Sequence, residues 1–401
     1  MKKRVLVSNL KEGDVFSHPV YIDGDNLLVP AGIAIKKKDI DRLNSWGVEA
    51  VETDGAPVLA TQETQAAKSP PAPSSAPKPA PSPVSKPSNA APKQETSEHD
   101  KSYSTYMELI ERLDEICSNI ASGIAVEARS IDNISGRLLQ VVREQRNSFI
   151  RYILGGEIKG FVMAKNLVNT AILSALMALE LKLPNHKVLQ IVTGALLHDV
   201  GMLRLPKEIV EKKGGLSQAE LQRIQAHTLY TYKIVNKELL YPEDVGTIVL
   251  QHHERWDGEG YPRRIAGDAI DLGARIVSVA DAFEAMVSQK PYRNPMIGYQ
   301  AMKNLLSDNL RRFDPNVIKA FIQTMGIYPI GSIVLLNNGA MAQVVDVQAS
   351  APLRPSIRIL ADEFGNMFKN DEGDLLDLLV EKSLFIAKAV EPKELAGKNA
   401  K

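Results

Sequence analysis

The sequence predicts a mainly α protein, in which a helical bundle carries a small N-terminal α+β module and a small C-terminal β-rich appendage. Three observations carry that expectation. From Tyr103 to about Phe321, apolar residues recur at three- and four-residue intervals, the spacing of one buried helix face. Before this stretch, short β-favouring runs surround the turn signal Asp23-Gly24-Asp25. After it, apolar runs flank Asn337-Asn338-Gly339, a hairpin signal.

Taken in order, residues 1–57 form the α+β module. Val15 to Ile22, Leu27 to Val29 and Val48 to Val51 read as strands, and Ile35 to Trp46 as a helix. Asp14, Asp23 and Asp25 flank turns and read as turn carboxylates. Residues 58–100 read as a linker. Thr64 to Pro92 is dominated by Pro, Ala, Ser and Lys and lacks residues to bury, so it is expected to be a semi-rigid or disordered tether. Residues 103–325 form the helical domain. Met107, Ile110, Leu113, Cys117, Ile120 and Ile124 define one amphipathic helix, and similar spacing recurs in 138–153, 162–183 and 189–197. A further buried helix begins near Ala274 and continues through Asp281. Residues 326–392 form the appendage, with strands at 333–336, 341–347 and 357–360 and no chemistry of its own.

Composition narrows the function. The chain has 401 residues, with 48 basic and 48 acidic side chains, so no global field draws it to nucleic acid or anionic lipid. The basic start at Lys2-Lys3-Arg4 is followed by too short an apolar run for a secretory leader. The most apolar later run, Ala171 to Leu181, contains Glu180 and is expected to fall far short of a membrane span. One cysteine, Cys117, excludes an intramolecular disulfide, fits a reducing cytoplasm, and falls in phase with a buried helix face.

The chemistry lies in six residues of two types. His198 and Asp199 are adjacent, and His227, the pair His252-His253 and Asp281 follow at intervals of 25 to 29 residues. Intervals of that length let successive helices each bring a ligand to one level of a bundle. An imidazole can hold one ion while the neighbouring carboxylate reaches a second, and this ligand mixture suits iron, manganese or zinc. Two such ions can generate a hydroxide and clamp the oxygens of a phosphoryl transfer. The other three histidines, His18, His99 and His186, fall in turn-like or linker sequence.

These residues, with the run Leu197-His198-Asp199-Val200-Gly201 and the signature from His252 through Gly260-Tyr261-Pro262, resemble the HD-GYP subgroup of HD-domain phosphohydrolases. The segment from Gly273 to Phe283 and Lys290-Pro291-Tyr292-Arg293 extend the likeness, which runs from about residue 150 to 325. The resemblance implies an all-α HD-type catalytic domain. It implies hydrolysis of the bacterial second messenger cyclic di-GMP to pGpG, and onward to GMP, with two divalent ions, iron or manganese. It implies metal ligation by His198, Asp199, His227, His252, His253 and Asp281, with Asp199 as the bridge. Gly260, Tyr261 and Pro262 match the loop that names the subgroup; Tyr261 either contacts substrate or packs the loop. Arg275 and Arg293 are either phosphate ligands or salt-bridge partners, and Trp256 and Asp257 brace the loop.

Two positions depart from the family pattern. A further ligand histidine is expected about 32 residues before His198, where this chain has Asn166, and the glutamate of three-metal members corresponds to Val162. The lysine that commonly follows the His-Asp-x-Gly run is Met202. These departures motivate the alternative of a catalytically weak domain that binds cyclic di-GMP and signals through partners. The long helix from Tyr103 offers a surface for a homodimer.

Overall fold

The computed structural model describes residues 3–22, 26–29, 31–45, 48, 50–55, 57–58, 93–155, 160–212, 214–289, 295–307, 311–368 and 372–390. The Asp23-Gly24-Asp25 turn, the tether over 59–92 and the Lys290–Arg293 segment lie outside the described residues.

The N-terminal module contains β1 (Lys3–Leu6), β2 (Val15–Phe16), β3 (Val20–Ile22), β4 (Asn26–Val29), α1 (Lys37–Ser45), β5 (Ala50–Thr53) and β6 (Pro57–Val58). The main sheet has the order β1-β5-β3-β4 and is antiparallel, while β2 pairs with β6. Val7, Phe16, Val20, Ile35, Leu43 and Val51 form a core separate from that of the rest of the chain.

The helical domain starts earlier than the sequence suggests. Helix α2 spans Lys93–Ala121, so the last residues assigned to the linker are helical. It is followed by α3 (Ala128–Glu144), α4 (Arg146–Gly155), α5 (Val162–Glu180) and α6 (Asn185–Leu197). The run 138–153 is therefore two helices. Gln145 leaves helical geometry, at φ −138° and ψ 40°, so that α3 packs on α6 while α4 packs on α2. A 3₁₀ turn (Val200–Arg204), α7 (Lys207–Val210), α8 (Gln218–Gln225) and α9 (His227–Lys233) come next. Then come α10 (Glu243–Gln251), α11 (Leu272–Val287), α12 (Gly298–Ser307) and α13 (Pro315–Met325). His99 and His186, expected in linker or turn, fall within α2 and the first turn of α6.

Helix α5 is the axis of the bundle and packs against α2, α6, α11 and α13. This corrects the expectation about membrane spans. The whole of Val162–Glu180 is apolar and long enough to cross a membrane by length and composition. Its apolarity serves the core instead, because 78% of its most apolar window is buried inside the protein. Cys117 is buried as expected, and burial together with Asp114 pushes its thiol up to about 12.

The C-terminal sheet comprises β7 (Ile333–Leu336), β8 (Met341–Asp346), β9 (Ser356–Ala361), β10 (Leu375–Asp377) and β11 (Ile386–Val390). Its order is β10-β9-β8-β7-β11, antiparallel throughout. The β7–β8 hairpin turns at Gly339, whose φ of 91° suits a residue without Cβ. The sheet is more than an appendage: Val334, Leu336, Ala342, Val344 and Ile357 join the same continuous core as Phe321 and Met325 of α13.

Candidate metal centre

Helix ends place most of the six candidate ligands. His198 caps the C-terminus of α6, and Asp199 enters the 3₁₀ turn with φ −110° and ψ 3°. His227 opens α9, His252 caps the C-terminus of α10 with His253 next to it, and Asp281 sits within α11. Close backbone approach sets their spacing. A Cβ on Gly201 would lie 2.2 Å from the His227 carbonyl oxygen and 2.5 Å from the Thr231 nitrogen. Only glycine lets the 3₁₀ turn meet α9 there. Thr231 fixes the contact, accepting from the Gly201 N–H at 2.9 Å and donating to the His198 carbonyl at 3.1 Å.

Three of the histidines are oriented alike. Nδ1 lies 2.7 Å from the Ala195 carbonyl in His198, 2.7 Å from the Ile224 carbonyl in His227 and 2.8 Å from the Val249 carbonyl in His252. A carbonyl only accepts, so each Nδ1 carries a proton and each Nε2 is turned inward. All three Nε2 atoms converge on Asp199.

Asp199 has two sides. Its Oδ1 lies 3.1 Å from His227 Nε2 and 3.7 Å from His252 Nε2. Its Oδ2 lies 3.7 Å from His198 Nε2, which is 3.6 Å from Asp281 Oδ1. One ligand atom each from Asp199, His227, His252 and His253 lies within 4.8 Å of the others. Asp199 Oδ1, His227 Nε2 and His252 Nε2 are buried without a hydrogen-bond partner. Buried polar atoms left unpaired are costly. Here they converge from three elements, which is the arrangement that a cation satisfies. The donor set of imidazole and carboxylate fits a divalent first-row metal. Asp199 and Asp281 keep 35% and 26% of their side-chain exposure, so the centre opens to solvent on the Oδ2 side.

The electrostatics match a site of alternating charges. Burial opposes ionisation of Asp199, but His198, His227 and His252 outweigh it and hold the carboxyl well below the usual range. Asp281 is held at about 2, where burial is overcome chiefly by its contact with His198. Burial disfavours His198 as a cation, yet Asp199 and Asp281 raise it to about 9. His253 moves the other way, through burial and the neighbouring His252.

The loop after α10 is folded tightly over the centre. A Cβ on Gly260 would meet the Arg255 nitrogen at 2.4 Å and the His253 oxygen at 2.5 Å. The Tyr261 N–H donates to the His253 carbonyl at 3.2 Å, and Tyr261-Pro262 is a cis peptide. The Tyr261 ring stacks on His253, with centroids 4.8 Å apart and planes at 30°. Arg255 grips Asp257 through two hydrogen bonds, of 3.0 and 2.6 Å. Trp256 donates its N–H to the Arg312 carbonyl at 2.8 Å.

Arg275 is occupied by the fold. Its guanidinium meets Asp314 at 2.7 Å and Asp268 at 3.0 Å and lies over the Trp256 ring at 5.4 Å. Asp314 in turn caps α13 through the Asn316 N–H, so Arg275 ties the loop to that helix. Arg293 lies outside the described residues. Asn166 lies half-buried on α5, Met202 is half-buried in the 3₁₀ turn, and Val162 is 57% exposed. One turn beyond Asn166, the buried Asn169 accepts from the Tyr106 hydroxyl at 2.6 Å and donates to Glu284 at 3.3 Å. Glu284 follows Asp281 by one turn on α11, so that helix is tied through α5 to α2. Thr231, Asn169 and Arg312 were not singled out by sequence reasoning, since each is placed by partners distant in the chain.

An all-α bundle that converges His-Asp, His, His-His and Asp on one carboxylate has the architecture of an HD domain. Residues 153–317 match the HD domain family, and residues 333–398 match the KOW domain associated with HD domains. Residues 153–317 thus carry an HD domain, and the chain is similar to HD-GYP cyclic di-GMP phosphodiesterases. It is 28% identical over 277 residues to a cyclic di-GMP phosphodiesterase of Borreliella burgdorferi, covering 69% of this chain and 73% of that one. It is 32% identical to a cyclic di-GMP phosphodiesterase of Pseudomonas aeruginosa over 46% of this chain and 44% of the relative. A 3'3'-cGAMP-specific phosphodiesterase of Vibrio cholerae is 34% identical over 32% of this chain and 24% of its own length. The chain thus spans less than half of the last two relatives.

Proposed function

We propose that this chain is a metal-dependent phosphodiesterase that hydrolyses cyclic di-GMP to pGpG. The observation that carries the reading is the two-sided Asp199. One oxygen faces His227 and His252, the other faces His198 and Asp281, and unpaired buried atoms surround it. His198, Asp199 and Asp281 would hold one divalent ion, and Asp199, His227, His252 and His253 the other. Asn166 is the further candidate ligand on the His198 side. Iron or manganese, when bound, supplies Lewis acidity toward a phosphoryl oxygen and acidifies water as a nucleophile.

The chain's own residues do the rest. Burial, with Asp199 and Asp281 nearby, pushes the Tyr261 hydroxyl up, so it stays protonated at neutral pH and donates to a substrate oxygen. Gly260 and Pro262 hold that ring beside the centre. Arg275 braces the loop through Asp314, which leaves Arg293 as the phosphate ligand of the two arginines carried by the sequence pattern. The units are the N-terminal module (1–57), linker (58–100), helical domain (103–325) and C-terminal sheet (326–392), acting in the cytoplasm as a homodimer or with signalling partners.

The test is anaerobic purification, metal analysis and product analysis with cyclic di-GMP, 3'3'-cGAMP and pGpG. Two equivalents of iron or manganese and formation of pGpG support the reading. A protein loaded with two ions that leaves cyclic di-GMP intact contradicts it, and cleavage of 3'3'-cGAMP alone would move the substrate to that relative's class.

A further inference from the structure

We infer that Arg312 is a further guanidinium, besides Arg293, that receives a substrate phosphate at this centre, an assignment that rests on the phosphodiesterase reading above. Two neighbouring arginines serve the fold. Arg255 is held by Asp257 at 2.6 Å and Glu259 at 3.3 Å. Arg275 is held by Asp314 and Asp268. Arg312 is different. Its guanidinium makes no hydrogen bond or ion pair among the described residues, and its Nε, like that of Arg275, is buried without a hydrogen-bond partner. Its side-chain contact is the Phe313 ring, 5.0 Å away.

The position of Arg312 is fixed by its backbone. Its carbonyl accepts the Trp256 N–H at 2.8 Å, which pins it beside the loop that carries Tyr261. From there it lies within electrostatic reach of the ligand Asp281, of Tyr261 and of Asp257. It also lies within reach of Arg255, a like charge. A half-buried cation beside another cation, with no acceptor of its own, destabilises the folded protein. A fold-building role would give it a partner like those of its two neighbours. An anion arriving at the rim of the metal centre supplies that partner, and a planar guanidinium matches the paired oxygens of a phosphodiester. Met202, which follows the His-Asp-x-Gly run, brings no charge to the centre. Arg312 thus provides a cation from the α13 side of the centre.

The test uses the full chain loaded with manganese, and inorganic phosphate as the probe in calorimetric titration. Arg312→Gln is the variant, because the Trp256 hydrogen bond uses the Arg312 backbone and survives the change. Phosphate affinity is expected to fall about 10–100-fold, the loss of one charge-assisted hydrogen bond, with metal content unchanged. Arg312→Lys is expected to recover part of it. Equal phosphate affinity in wild type and Arg312→Gln overturns the assignment, as does a wild-type protein that binds no phosphate. Metal loss in Arg312→Gln with retention in Arg312→Lys also overturns it, since the residue would then support the metal shell. Phosphate binding that depends on Arg312 in a protein inert toward every cyclic dinucleotide supports Arg312 while refuting the substrate reading.

Discussion

Replacing Gly201 by alanine tests the geometry of the centre without touching a ligand. Gly201 does not adopt a positive φ, so alanine meets no backbone strain and the cost is steric alone. The added Cβ would stand 2.2 Å from the His227 carbonyl oxygen and 2.5 Å from both the nitrogen and the hydroxyl of Thr231. Ordinary contact needs ~3.5 Å, so the start of α9 must retreat by about 1 Å. All three atoms belong to backbone or to the Thr231 staple, so none can swing aside. His227 moves with α9, and its 3.1 Å separation from Asp199 opens by a similar amount. The overpacking costs about 1–3 kcal/mol of stability. The displaced imidazole weakens metal binding by at least the ~10-fold seen for changes behind a ligand shell. Thermal unfolding of the metal-free protein reads the first effect, and manganese titration by calorimetry reads the second. Wild-type metal affinity in a folded Gly201→Ala protein would refute the claim that α9 positions His227 through this contact.

Other outcomes follow from the same structure. His198 is raised from its ordinary 6.5 to about 9, so the stability its proton lends the metal-free protein is full below about 6.5 and is lost as pH rises through 9. A metal must displace that proton, and its apparent affinity should climb about tenfold per pH unit across that window; a flat profile in titrations at several pH values would oppose this. Tyr106→Phe leaves the Asn169 oxygen buried without its donor and should cost about 1–3 kcal/mol in denaturant unfolding, with no change expected in the N-terminal module. Asn166→His should raise manganese retention on dialysis if Asn166 stands at a ligand position, and unchanged retention would remove it from the ligand set.

The sequence showed the candidate ligands more fully than it showed what holds them. His198, Asp199, His227, His252, His253 and Asp281 were visible because chemistry of that kind needs those residue types, and helix-length intervals bring them to one level. The turn glycine at 339 and the buried phase of Cys117 were legible because each depends on local pattern. Arg275 was left between two roles because the residue that decides, Asp314, lies 39 positions away. Arg312 went unnoticed because Arg311-Arg312 reads as a solvated basic pair, and the Trp256 N–H that places it belongs to a distant loop. The break at Gln145 has no proline or glycine to announce it; the demands of packing α3 and α4 on different partners impose it. The length of α5 as an apolar helix was underestimated because Asn166, Asn169 and Thr170 interrupt the pattern in sequence, while Asn169 and Thr170 are buried in the fold.

The central claim is that the Asp199 carboxylate is shared by two ions. Metal stoichiometry of anaerobically purified wild type and Asp199→Ala, determined by elemental analysis alongside turnover of cyclic di-GMP, tests it most directly. Two ions per chain in the wild type, fewer than one in a folded Asp199→Ala protein and no hydrolysis by the latter are the predicted results. Two ions or full turnover in Asp199→Ala would contradict the account.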